Sequence, residues 1–139
     1  MDVWDYFDRR EGECRECSLG LETAFPSYCA QAQGSGGARG IFYGRLILSE
    51  RAYLSVFEVL GTRGSTIHRE RYSYYLVIDG NEIWGYDLDP EHNPATHRHE
   101  GTSHKRFPAS SITFKAMVKL AWQTSSAYEE LHPASDARM

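Results

Sequence analysis

One dipeptide constrains this chain more than any other feature. Asp79-Gly80 stands between TIHRERYSYYLVI (66–78) and NEIWGYDL (81–88), two runs rich in β-branched and aromatic residues. Asp-Gly in that setting predicts a two-residue hairpin turn. Upstream, IFYGRLILSE (41–50) and AYLSVFEVL (52–60) also read as strands, the second setting Tyr53, Ser55, Phe57 and Val59 against Leu54, Val56, Glu58 and Leu60. The nine tyrosines fit the same tendency, because aromatic rings suit a pleated surface. After residue 107, Phe114, Met117, Val118, Ala121 and Tyr128 fall near helical spacing, with Ser110 or Ser111 placed to cap the helix. The expected class is α+β: an antiparallel meander of about four strands with a C-terminal helix packed on one face.

The first forty residues have a different character. MDVWDYFDRREGECREC suits a short helix, and AQAQGSGGARG (30–40) reads as a Gly-rich loop or linker. The expected organisation is a helical or irregular extension over 1–40, an α+β domain over 41–131 and a tail over 132–139. Cys14 and Cys17 have the spacing of half a zinc site, with Cys29 as a third thiol. A closed structural site needs four ligands, so ordinary reduced thiols are expected. The acidic opening has no apolar stretch of the secretory kind, and no run of about 18 apolar residues occurs. A cytoplasmic protein without membrane contact is expected. The net charge of −4 disfavours broad non-specific binding to nucleic acid; any such contact needs a small arranged cluster.

With a two-residue turn, Ile78 pairs with Asn81, Leu76 with Ile83, Tyr74 with Gly85 and Tyr72 with Asp87. Opposed residues share a face, so Tyr72, Tyr74, Asp87, Glu70 and His68 fall together and Arg69 and Arg71 opposite. A turn longer by one residue would shift this register. Polarity grows toward the segment Gly85–Arg106, which holds four of the six histidines. Such a cluster fits either a site at a loop root or an arginine–carboxylate ladder on a solvated face.

Pro90 and Pro94 disfavour regular pairing, so the histidines are expected on a loop. His97 and His99 are two apart, which sends both imidazoles to one side. With Asp87 and His92 they could bind a divalent metal. Alternatively, His97 and His99 act as acid and base, His92 assists, Asp87 or Glu70 orients, and Arg69, Arg71, Arg98 and Lys105 hold phosphate. RNA cleavage through the 2′-hydroxyl needs a base, an acid and a cation, so no cofactor is obligatory. Tyr72 and Tyr86 could stack on a base or simply be half-buried sheet aromatics.

LSERAYLSVFEVL, then RYSYYLVIDGNEIWGYDLDPEHNPATHRHEG and a terminal helix, resemble the TumE-like family of small toxin–antitoxin proteins over about residues 45–125. Arg71, Tyr72 and Tyr74 match its Arg-Tyr-x-Tyr strand. Tyr86, Asp87, Pro90 and His92 match its central box, and His97-Arg98-His99 its closing triplet. Gly85 stands where the box has arginine, Leu88-Asp89 where it has Asn-Ala, and Glu91 where it has histidine. The resemblance implies a toxin acting on RNA as an endoribonuclease, neutralised by a cognate helix-turn-helix antitoxin, with a homodimer as one possible form. Two other readings are open: a metal-binding enzyme or module, and a non-catalytic protein whose exposed sheet edge pairs with a partner chain.

Overall fold

A computed structural model describes residues 3–17, 20–22, 28–33, 37–91, 95–101 and 107–133. Helix α1 (Val3–Glu16) is followed by strands β1 (Gly20–Glu22), β2 (Tyr28–Gln33), β3 (Gly37–Ile47), β4 (Ala52–Arg63), β5 (Thr66–Ile78), β6 (Asn81–Leu88), β7 (Thr96–Glu100) and β8 (Phe107–Pro108), then helix α2 (Phe114–Leu131). All strands join one antiparallel sheet in the order β1-β3-β4-β5-β6-β7-β8, with β2 also paired to β3. The expected four-stranded meander is present as β3 to β6, and β7 and β8 extend it. Residues 28–33 and 37–42 pair with each other and are strand rather than linker. Among the described residues no helix is long and apolar enough to cross a membrane.

The β5–β6 turn has two residues, Asp79 and Gly80, with φ of 51° and 79°. Gly80 meets that requirement at no steric cost and Asp79 is among the residues that tolerate it. Arg51, in the β3–β4 turn, grips the Asp79 carboxylate through Nε at 2.8 Å and Nη2 at 2.6 Å. That bond holds the Asp79 carboxyl below the ordinary range.

The register departs from strict alternation. Ile78 pairs with Asn81, but a bulge between Leu76 and Val77 leaves Ile83 as an extra residue, and Leu76 then pairs with Trp84. Asp87 therefore faces Ser73, not Tyr72, and Tyr75 faces Gly85. A second bulge on β5 leaves Glu70 extra, since Val59 pairs with Arg71 and Leu60 with Arg69. Arg69 and Arg71, expected on one face, consequently point to opposite faces.

Both helices cover the same sheet face. Phe42, Leu46, Leu54, Val56, Leu60, Tyr72, Tyr74 and Leu76 are buried there beneath Phe7 and Cys14 of α1 and Phe114, Met117, Val118 and Ala121 of α2. The α2 stripe is the one that helical spacing predicts. Its cap is Thr113, whose side chain accepts from Ala116 N at 3.2 Å. Ser110 and Ser111 lie too far ahead of the first helical residue to do this. Cys14 is a fully buried core residue, and burial pushes its thiol up. The Cys17 thiol donates to the Glu13 carbonyl; the Cys29 side chain lies outside the described residues.

Candidate functional site

On the face that no described helix covers, cross-strand rows align side chains from five strands. One row is Tyr43, Phe57, Ser73, Asp87 and His97; the next is Arg45, Ser55, Tyr75, Gly85 and His99. His97 and His99 lie on strand β7, not on a loop. The two-residue period still does what the spacing predicts, turning both rings toward β6.

Asp87 is the centre of the group. Its Oδ1 accepts from Ser73 Oγ at 2.6 Å, and its Oδ2 accepts from the Tyr75 hydroxyl at 3.2 Å. His97 Nε2 lies 3.3 Å from the same Oδ2, and His99 Nε2 contacts it directly. The two imidazoles meet edge to face at 4.9 Å. His97 is fully buried, whereas 18 % of the His99 side chain is exposed. Of the pair, His99 is the one a substrate can touch. Burial pushes the Tyr75 phenol above its ordinary value; Ser73 opposes the rise and the Asp87 charge adds to it. Ligand atoms of Asp87, His97 and His99 lie within 4.8 Å of one another, a spacing that a metal ion could also bridge.

Gly85 makes this arrangement possible. A Cβ at this position would come within 2.5 Å of Tyr75 Cδ1 and Cε1, because the ring lies across β6 to reach Asp87. Glycine ordinarily weakens a strand, by roughly 0.5–1 kcal/mol relative to alanine. Here Gly85→Ala should instead destabilise, by about 1–3 kcal/mol, and lower activity by breaking the Tyr75–Asp87 bond. Chemical denaturation of Gly85→Ala, Tyr75→Ala and the double variant checks this, with strong non-additivity expected. A stabilised Gly85→Ala protein would show that the ring does not depend on this glycine.

Of the residues expected in a site, Asp87, His97 and His99 come together, and Arg71 lies on the same open face. Glu70 is held by Arg39 at 2.5 Å and does not orient either histidine. Arg69 and Tyr72 belong to the helix-covered face: the Arg69 guanidinium stacks over the Tyr72 ring and donates to the Tyr74 hydroxyl. Tyr72 is buried, so no base can stack on it. Tyr86 packs edge to face on Trp84 and Arg98 pairs with Glu100, again away from His99. His92 and Lys105 lie outside the described residues. Ser73 and Tyr75 were not expected; only the bulge at Leu76/Val77 brings them opposite Asp87 and Gly85.

A family model described as Toxin TumE matches residues 24–124, starting well ahead of residue 45, where the resemblance in sequence begins. No curated protein and no solved structure matches the chain.

Proposed function

Because the chain belongs to the TumE toxin family, we propose that it is a toxin whose action is metal-independent cleavage of RNA at the Asp87–His99 group. One observation supports this most: a single carboxylate, fixed by Ser73 and Tyr75, holds a partly exposed imidazole. A histidine whose one nitrogen donates to a carboxylate presents the other as a proton acceptor. In this reading His99 takes the proton of a 2′-hydroxyl, the freed oxygen attacks the adjacent phosphorus, and the bond to the 5′-oxygen breaks. The departing 5′-oxygen takes a proton from water, while Tyr75, held protonated by burial, keeps donating to Asp87 and so fixes the carboxylate behind His99. His97, buried behind Asp87, is a positioning residue. The products carry a 2′,3′-cyclic phosphate and a 5′-hydroxyl.

Family membership implies an antitoxin partner; we propose a small helix-turn-helix protein for that role. The test is direct. RNA incubated with purified protein should be cut with those end groups, and His99→Ala should lower the rate by at least about 100-fold and relieve growth arrest. An unchanged rate in His99→Ala would sink the assignment. The grouping of three ligand atoms favours a second reading, a metal centre on Asp87, His97 and His99. Stoichiometric metal in untagged protein, with activity lost to chelator and restored by the ion, would establish that reading instead.

A further inference from the structure

The row that contains Asp87 continues across the open face to Phe57 and Tyr43, which the chemistry at His99 does not explain. Phe57 stands two strands away, about 10 Å from Asp87 at ordinary strand spacing. It is 36 % exposed although it lies in the middle of a central strand. Tyr43, Tyr53 and Tyr75 share this face but are only partly exposed, so Phe57 is the ring on it most open to a partner. One step along the strands, Val59 and Arg71 face each other. With Arg39, Glu70 and Pro90 they border an open groove of about 380 Å³ beside Phe57.

The charges on this groove are paired but open to solvent. Arg71 reaches Asp89 at 3.2 Å and Glu91 at 3.9 Å, with 42 % of its side chain exposed. Arg39 holds Glu70 with 47 % exposed. Exposed pairs of this kind contribute little and exchange readily, and a guanidinium matches phosphate oxygens as well as carboxylate. An aromatic ring flanked by two exchangeable guanidinium groups is the equipment of a surface that stacks an unpaired base and tracks its backbone.

Resting on the ribonuclease reading, we infer that this face is the substrate platform and that the substrate is single-stranded RNA. A base stacks on Phe57, Arg71 and Arg39 take the phosphates beside it, and a ribose further along the same strand reaches His99. A duplex has no free base face to offer Phe57 and is bound poorly.

Binding is measured by fluorescence anisotropy in the His99→Ala background, which prevents cleavage, using a labelled oligouridine of about 12 nucleotides and the same strand in a duplex. The single strand should bind at least about tenfold tighter than the duplex. Phe57→Leu, which keeps an apolar side chain but removes the ring, should cost about tenfold, and Phe57→Tyr should restore affinity. Arg71→Gln should weaken binding and reduce the salt slope by about one. Equal affinity for both RNA forms, or an unaltered Phe57→Leu in a protein whose wild type cleaves RNA, overturns this inference and leaves the ribonuclease reading standing. If wild type neither binds nor cleaves RNA, the ribonuclease reading itself fails. If Phe57→Leu spares RNA binding but loses neutralisation by the antitoxin, the face belongs to a protein partner.

Discussion

Asp87→Asn should abolish toxicity, with RNA cleavage reduced by about 10²–10⁴-fold and the fold retained. The substitution preserves size and keeps one acceptor oxygen, so Ser73 can still donate to it. What changes is the group presented to the imidazole. Asp87 is an acceptor on both oxygens, and it selects the His99 tautomer whose proton sits on Nε2. An amide that presents its NH₂ to His99 selects the opposite tautomer and puts the ring proton on the nitrogen meant to accept from substrate. An amide turned the other way leaves its NH₂ against the Ser73 hydroxyl and still removes the charge that stabilises an imidazolium. The first orientation removes the base and the second weakens it. Growth arrest on induction and the rate of RNA cleavage check the activity; circular dichroism and thermal unfolding check the fold. Retention of more than about a tenth of the wild-type rate would exclude Asp87 as the group that orients His99. The metal reading also predicts loss on this substitution, and insensitivity of the wild type to chelator separates the two.

The parts of this arrangement that were legible in the sequence are those that depend on neighbours along the chain. The Asp79-Gly80 turn demands two residues with positive φ, and local chemistry states that demand. The placement of His97 and His99 on one side follows from a two-residue period. Bulges are different, because they belong to a pair of strands and leave no mark in either strand alone. The bulge at Leu76/Val77 replaces Tyr72 and Tyr74 with Ser73 and Tyr75 as neighbours of β6 on the Asp87 face. The bulge that leaves Glu70 extra sends Arg69 to the core and Arg71 to the open face. The segment AQAQGSGGARG reads as a linker because glycine disfavours strands. Its described residues, 30–33 and 37–40, pair nonetheless, since a ladder is made by backbone groups that glycine also has. Gly85 is legible only with the structure, as the space a tyrosine ring occupies.

Glu58→Ala should be the most destabilising single substitution on the helix-covered face, costing about 3–5 kcal/mol. Glu58 falls among Leu54, Val56 and Leu60 in the alternation of β4, and it is fully buried with them. Its carboxylate accepts from the Tyr6 hydroxyl at 2.9 Å and the Tyr74 hydroxyl at 2.5 Å, with Arg10 Nε at 3.3 Å. Arg10 also donates to Tyr6 and lies over the Phe114 ring, and Arg69 donates to Tyr74 at 2.9 Å. Burial, reinforced by the Glu58 charge, pushes both phenols up and keeps them protonated as donors. These partners lie 52, 48 and 16 residues from Glu58 in sequence, which is why the alternation shows a carboxylate facing inward but not what compensates it. Removing Glu58 takes the shared acceptor from two buried hydroxyls and leaves Arg10 only Glu13 as a carboxylate partner, at 2.9 Å, and polar groups left short of partners beside an apolar core cost more than the pair contributes. If that is the cause, Glu58→Ala combined with Arg10→Met should recover part of the loss, because the second substitution removes a charge that has lost its buried partner. Urea unfolding followed by tryptophan fluorescence measures both, and a Glu58→Ala midpoint equal to wild type would mean that α1 is not docked through this cluster. The cluster and the Asp87 group sit on opposite faces of the same strands. Protein of the Glu58→Ala variant that remains folded at low temperature should therefore still cleave RNA, whereas Asp87→Asn should keep its stability and lose the reaction.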